Sequence, residues 1–117
     1  MALFRRRPTL PPTGNDFDDA LLAELAKHSD LAHPRHWLHY LYAADESGAR
    51  TVADTSRDAG WHVQDVDTAA DGNGWVIVAE QDEAVVSPDT VREARTFFED
   101  LAASVRGGEY DGWEASA

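Results

Sequence analysis

The chain has 117 residues, enough for one hydrophobic core, and its 22 acidic and 10 basic side chains give a net charge of −12. It contains no cysteine, which excludes disulfides, thiolate catalysis and thiolate metal sites. No apolar run reaches the length of a membrane span, and 43% hydrophobic residues are too many for a disordered chain, so a single cytoplasmic domain is expected.

The first fourteen residues differ from the rest in charge. Arg5, Arg6 and Arg7 are the only charged side chains among them, which leaves a net charge of −15 on residues 15–117. Residues 1–14 also contain three prolines and little to bury, so a flexible leader is predicted, followed by a single domain over 15–117. No apolar core follows the arginines, so the leader is not a secretory signal.

A first helix is predicted to follow the leader. Asn15 is a favourable N-cap, and the aspartates after it suit the positive end of a helix dipole. One face of this helix is apolar except at two positions, and it consists of Phe17, Ala20, Leu21, Glu24, Leu25 and His28.

An aromatic strand is predicted over 35–43, after His33-Pro34 ends helical geometry. Alternation divides its side chains between two faces. Leu38, Tyr40 and Tyr42 point one way, and Trp37, His39 and Leu41 point the other. Both faces are mostly apolar, which predicts a central strand and leaves open that a partner covers its outer face.

The middle of the chain is predicted to form a helix, a strand, a turn and another strand. Asp45 caps a helix over 45–59, which Gly60 ends. A second strand is predicted over 61–66. The sequence Asp71-Gly72-Asn73-Gly74 is a strong turn signal, and the apolar third strand at 75–79 belongs inside the sheet.

The longest helix is predicted over 87–106. Ser87 is an N-cap with proline at the first helical position, and Gly107 is a helix stop. Its repeating positions are Val91, Ala94, Arg95, Phe98, Leu101, Ala102 and Val105.

A last strand over 109–114 carries two large aromatic residues, which predicts that this segment is tied down. Gly112 predicts a kink or bulge, and a bulge would bring Tyr110 and Trp113 to one side of the sheet. A core position for Trp113 is favoured over a binding surface, because buried aromatics are the commoner case. Asp111 either bonds backbone amides in the turn or faces a partner.

The order of these elements predicts an α+β fold. Without the first helix it is the βαββαβ pattern of the ferredoxin-like sandwich, a four-stranded antiparallel sheet with helices on one face. The first and third strands lie inside this sheet, and the second and last lie at its edges. The helix near the N-terminus is an addition to this pattern.

Three histidines, His33, His36 and His39, have a spacing that invites a metal site. Strand alternation sends His36 and His39 to opposite faces, so no metal or other cofactor is expected. His39 is instead interpreted as a half-buried residue hydrogen-bonded to a neighbour. The numerous carboxylates fall on predicted helix surfaces and in turns, and no nucleophile elbow or phosphate-binding loop is present, so no catalytic residue is predicted.

The end of the chain resembles the closing motif of the bacterial ribonuclease E inhibitor family, the regulators of ribonuclease E activity B. The resemblance also includes His39-Tyr40-Leu41-Tyr42 and a helix ending in Ala59-Gly60-Trp61, and it covers roughly 30–114. It implies a ferredoxin-like, non-catalytic protein that binds ribonuclease E outside the catalytic centre and reduces RNA cleavage. The partner-binding residues are then Glu109, Tyr110, Asp111, Gly112, Trp113 and Glu114.

The acidic charge bears on the kind of partner. An acidic body repels phosphate backbones, which argues against direct nucleic-acid binding and favours ribonuclease E or a related basic RNA-processing protein. The excess of acidic residues also has an alternative explanation, genomic base composition or a salty cytoplasm, which stays open. A monomer or weak homodimer without membrane contact is expected. The alternative is a ferredoxin-like small-molecule-binding or enzymatic domain, with its ligand on the sheet face near Trp37 and His39.

Overall fold

The computed structural model describes residues 10–69 and 72–117, so most of the predicted leader and Asp71 of the predicted turn lie outside the described residues. Within these ranges the chain forms three helices and four strands. They are α1 (Asp16–His28), β1 (Arg35–Ala43), α2 (Glu46–Asp58), β2 (Asp67–Thr68), β3 (Trp75–Ala84), α3 (Pro88–Ala103) and β4 (Glu109–Ala115). The antiparallel sheet has the order β2-β3-β1-β4. This is the predicted ferredoxin-like α+β sandwich with an added N-terminal helix.

The three helices begin at the predicted caps. The side chain of Asn15 accepts the backbone N–H of Asp18, and that of Asp45 accepts the N–H of Gly48. Ser87 forms a capping box with Thr90, with Pro88 in the first turn. These local contacts satisfy amides that have no partner within their own helix.

The side chains of β1 alternate between the two faces of the sheet, as predicted. Trp37, His39 and Leu41 are buried beneath α2 and α3, with Phe98 of α3 against the His39 ring at 4.6 Å. The other side of β1 carries half-buried residues, and no helix of the described chain covers it. None of the described helices has the length and apolar character that crossing a membrane requires.

The second strand is shorter and later than predicted. Residues 61–66 make one isolated bridge to β3, between His62 and Glu80, and regular pairing begins at Asp67. The guanidinium of Arg57 explains the change, because it donates to the carbonyl oxygens of Val63, at 2.7 Å, and Gln64, at 3.1 Å. The arginine therefore occupies two backbone carbonyl oxygens that would otherwise accept hydrogen bonds from a neighbouring strand. The predicted pairing of the second and third strands is confirmed.

The face that α1 turns to the core is not the predicted one. The buried residues are Asp18, Leu22 and Leu25, whereas Phe17 is 81% exposed and Leu21 40% exposed. Ala20, Glu24 and His28 of the predicted face are also exposed, and only its Leu25 is buried. A buried carboxylate fixes the rotation of this helix, as described below.

Helix α3 ends three residues before the predicted end. Its last residue is Ala103, and the Ser104 hydroxyl donates to the carbonyl of Leu101 at 2.6 Å. Gly107, with φ of +63°, belongs to the turn that follows the helix. A Cβ at Gly107 would lie 2.7 Å from Cβ of Ala44, so glycine lets this turn pass close to the end of β1.

Candidate functional site

The predicted bulge in the last strand is present. Between the pairs His39–Trp113 and Leu41–Tyr110, β1 has one residue and β4 has two. Gly112 is one of these two, and its φ of +98° is the left-handed conformation that glycine adopts without strain. Because of this extra residue, Tyr110 and Trp113 both face the helices.

Trp113 is a core residue, as favoured above. It is 7% exposed, and its ring packs edge-on against Trp37 with a centroid distance of 6.1 Å. Its indole Nε1 donates a hydrogen bond of 2.9 Å to the carboxylate of Asp18. A single side chain therefore fills the core beneath the sheet and connects β4 to α1.

Tyr110 lies in the same layer. Its ring stacks on Phe98 at 5.6 Å, and its hydroxyl lies 2.7 Å from Nδ1 of His39. The guanidinium of Arg95 lies 4.9 Å from the centre of its ring, a cation–π contact. Burial raises the pKa of Tyr110 well above its usual range, so the hydroxyl stays protonated.

The residue that sequence reasoning missed is Asp18. It is 1% exposed and forms a bidentate pair with Arg95, with distances of 2.5 Å from Nε and 2.9 Å from Nη2. In the sequence it looks like one of several dipole-favouring aspartates. The available signal was Arg95, which interrupts the apolar repeat of α3, because a cation on a buried face requires an acidic partner.

The three carboxylates of β4 point away from the core. Glu109, Asp111 and Glu114 are exposed. Glu114 accepts a hydrogen bond from the hydroxyl of Tyr40, which raises the pKa of Tyr40 to about 12. The side chains of Glu109 and Asp111 have no hydrogen bond or ion pair with a described residue. The predicted partner-binding segment therefore divides into an inward aromatic pair and an outward acidic edge.

The uncovered side of the sheet, here called the open sheet face, is apolar at its centre. It consists of the half-buried residues Leu38, Tyr40, Tyr42, Val76 and Val78. Tyr40 lies opposite Val78, and Tyr42 lies opposite Val76 on the neighbouring strand. Such pairs pack closely across two antiparallel strands. The outward carboxylates of β4 are continuous with this face.

A groove of about 810 Å³ lies at the end of the sheet, beside the open sheet face. Tyr42, Gly74, Gly107, Glu109 and Asp111 are among its lining residues. The described lining includes two carboxylates and no basic side chain. This charge distribution is suited to a positively charged group.

The predicted ligand position near Trp37 and His39 is wrong. Trp37 is 3% exposed and His39 is fully buried, because both face the helices. His39 was expected to be half-buried; its expected hydrogen bond is confirmed, and the partner is Tyr110.

The predicted separation of His36 from His39 is confirmed. His36 is on the other side of β1, with its ring nitrogens 2.8 Å from oxygens of Glu80 and Asp82. Over residues 10–69 and 72–117, no group of three metal-ligating side chains is arranged to hold an ion.

The burial of His39 predicts a pH dependence of stability. Burial first, and the charge of Arg95 second, lower the pKa of His39 to about 3 in the folded chain, against about 6.5 when unfolded. The unfolded state therefore binds the extra proton, so stability is fully present above pH 6.5 and falls towards pH 3 by about 1.4 kcal/mol per unit. From pH 7 to 5 we expect a loss of about 2 kcal/mol from this residue.

Urea unfolding at pH 7, 6 and 5 measures this loss. His39→Gln should flatten the dependence, while His28→Gln, on the exposed end of α1, should keep it. Equal slopes in the His39→Gln variant and the parent chain would contradict the assignment.

The chain matches a known protein family. A family model described as RraB, regulator of ribonuclease activity B, matches residues 15–115. The match extends from the N-cap of α1 to the last residue of β4 and so includes all the elements described above. A search of curated proteins finds no significant match.

Proposed function

Because the chain belongs to the RraB family of regulators of ribonuclease activity, we propose that it binds ribonuclease E and reduces RNA cleavage. In this proposal the chain is not an enzyme, and it acts in the cytoplasm by occupying a surface of the nuclease outside its catalytic centre. The observation that carries the proposal is the acidic edge of β4, where Glu109 and Asp111 are exposed and have no basic partner among the described residues.

Electrostatics supports a protein partner over RNA. The chain carries a net charge of −12, so its field repels a phosphate backbone. The same field attracts a basic surface and accelerates the encounter with it. A nuclease needs basic regions to hold RNA, and an acidic protein bound there competes with the substrate. This competition lowers cleavage without any chemical step by the regulator.

The arrangement of β4 supports its role in contact. Tyr110 and Trp113 hold the strand on the core, and the bulge at Gly112 presents Asp111 outwards. The contact carboxylates are therefore carried on a fixed element, which reduces the entropy lost when a partner binds. In this proposal the aromatic pair positions the surface, and the carboxylates meet the partner.

We expect the double variant Glu109→Gln/Asp111→Asn to bind ribonuclease E about three- to tenfold more weakly, because two exposed charge contacts are lost. Its stability should change by less than about 0.5 kcal/mol, since neither side chain has a described partner. Native electrophoresis measures the complex, and cleavage of a labelled RNA by ribonuclease E with increasing amounts of the protein measures inhibition. Complex formation and inhibition by the parent chain should both weaken as the salt concentration rises.

The matched control is Asp58→Asn/Glu93→Gln, which removes the same charge from exposed helix positions. If both double variants inhibit equally well, the β4 edge is not the contact. If the parent chain leaves cleavage unchanged and forms no complex, the proposed function itself is refuted.

A further inference from the structure

The open sheet face, like the covered face, carries apolar side chains that a second layer would bury. A sheet normally buries its apolar face against another layer, and α2 and α3 provide that layer on one side only. On the other side, Leu38, Tyr40 and Tyr42 of β1 form a row beside Val76 and Val78 of β3. This row is apolar at the centre of a strongly acidic molecule, so it is distinct from an ordinary solvated surface.

The dimensions of the row favour a helix as the second layer. Three alternate residues on one strand extend over about 14 Å, and adding the neighbouring strand makes the row about 10 Å wide. A helix is about 10 Å across and lays one apolar stripe on such a surface. An extended peptide instead needs the free backbone groups of a strand edge, which a sheet face does not offer.

Two lines of residues that cross the strands of this face have a carboxylate at each end. One line crosses all four strands and consists of Asp67, Val76, Tyr42 and Glu109. The other line crosses three strands and consists of Glu80, Leu38 and Glu114.

Each line therefore has an apolar centre between two acids. Of these four carboxylates, Glu80 lies near two histidines, His36 at 2.8 Å and His62 at 3.8 Å, and the others have no ion pair with a described residue. A helix that matches the pattern carries basic residues on both sides of an apolar stripe.

We propose that the open sheet face docks an amphipathic, basic helix of the partner protein. This inference rests on the proposed function, and it assigns the surface and the chemistry of the contact. A second copy of the chain is a poor occupant, because a twofold interface would place acidic rims of like charge against each other. RNA is a poor occupant for the same electrostatic reason.

The test uses the full chain and a synthetic probe, an 18-residue peptide of leucine and lysine with leucines at helical spacing. Calorimetry measures its binding, and a peptide of the same composition in scrambled order is the control. We expect the scrambled peptide to bind at least about tenfold more weakly, because it has no apolar stripe.

The variant Val78→Asp separates apolar docking from general attraction. It adds a negative charge, which strengthens purely electrostatic binding, but it places a carboxylate in the apolar row. We expect at least about a tenfold loss of affinity for the helical peptide. The control Thr51→Asp, on the exposed side of α2, adds the same charge and should change the affinity by less than about twofold. Tyr42→Ser is a second variant that removes apolar contact without adding charge, in case Val78→Asp does not fold.

Unchanged or tighter binding by both variants would overturn the proposal, and so would equal binding of the scrambled peptide. Sedimentation showing that the chain dimerises, with the dimer lost in Val78→Asp, would assign the face to a second copy instead. The proposed function fails separately: if the peptide docks as expected but RNA cleavage by ribonuclease E is unchanged, the surface stands and the inhibitor role does not. If a folded Val78→Asp chain still inhibits fully, the inhibitor role stands and the docking surface does not.

Discussion

Trp113→Ala is expected to lower the free energy of unfolding by about 3–5 kcal/mol. The indole is buried against Trp37, and its loss leaves a cavity in a core that cannot fully collapse. It also removes one of the three hydrogen bonds to the buried carboxylate of Asp18. Urea unfolding at pH 7 measures the change.

Trp113→Phe separates the two contributions. Phenylalanine retains much of the packing but has no N–H group, so its expected cost is only about 1–3 kcal/mol. If alanine at this position costs no more than about 0.5 kcal/mol, as surface substitutions do, Trp113 is not part of the core.

Asp18→Ala is expected to cost about 2–4 kcal/mol, for a different reason. The substitution removes little apolar surface, but it leaves the indole N–H of Trp113 and the Nε and Nη2 groups of Arg95 without their acceptor, and Arg95 keeps only its bond to Glu99. Breaking one side of a charge pair is costly when the remaining charge is partly desolvated, and the Arg95 side chain is only 21% exposed. Asp16→Ala, in the same turn of α1 but exposed, is the matched control and should change stability by less than about 0.5 kcal/mol.

The two substitutions should not be additive. Asp18 and Trp113 share a hydrogen bond, so the double variant should lose less than the sum of the single losses. Additive losses in urea unfolding would show that the two side chains act independently. Equal effects of Asp16→Ala and Asp18→Ala would contradict the structural assignment of Asp18.

Features that depend on near neighbours in the chain were predictable. The N-caps at Asn15, Asp45 and Ser87 each need a partner only three residues away, and all three are present. The bulge at Gly112 follows from a glycine between two aromatic residues of a short strand. The fold class follows from the order of elements and did not require their exact bounds.

Features that depend on distant residues were not predictable. The rotation of α1 is set by Arg95, which is 77 positions from Asp18, and a hydrophobic pattern alone favours the face carrying Phe17. The shift of the second strand is set by the guanidinium of Arg57, whose carbonyl partners no propensity reveals. In both cases a side chain with several donors overrides the local pattern.

The candidate site shows the same division. The motif at 109–114 lies on a single strand, but its residues have different positions in the fold. Tyr110 and Trp113 belong to the interior, and the exposed residues are the carboxylates between and beside them. The apolar centre of the open sheet face was visible as the alternation of Leu38, Tyr40 and Tyr42. Its acidic borders appear only when the cross-strand register is known.

The hydrogen bond from Trp113 to Asp18 joins residues 95 positions apart in the chain. Helix α1, which carries Asp18, is therefore synthesised long before β4 supplies the indole. Until then Asp18 lacks one of its donors, and β1 lacks the neighbour on one of its edges. Closing so long a loop is slow compared with forming local contacts, so native structure is completed only after β4 has been made. The acidic edge and the apolar sheet face consequently become a single surface only after β4 has been synthesised, and a chain that stops before β4 cannot present it.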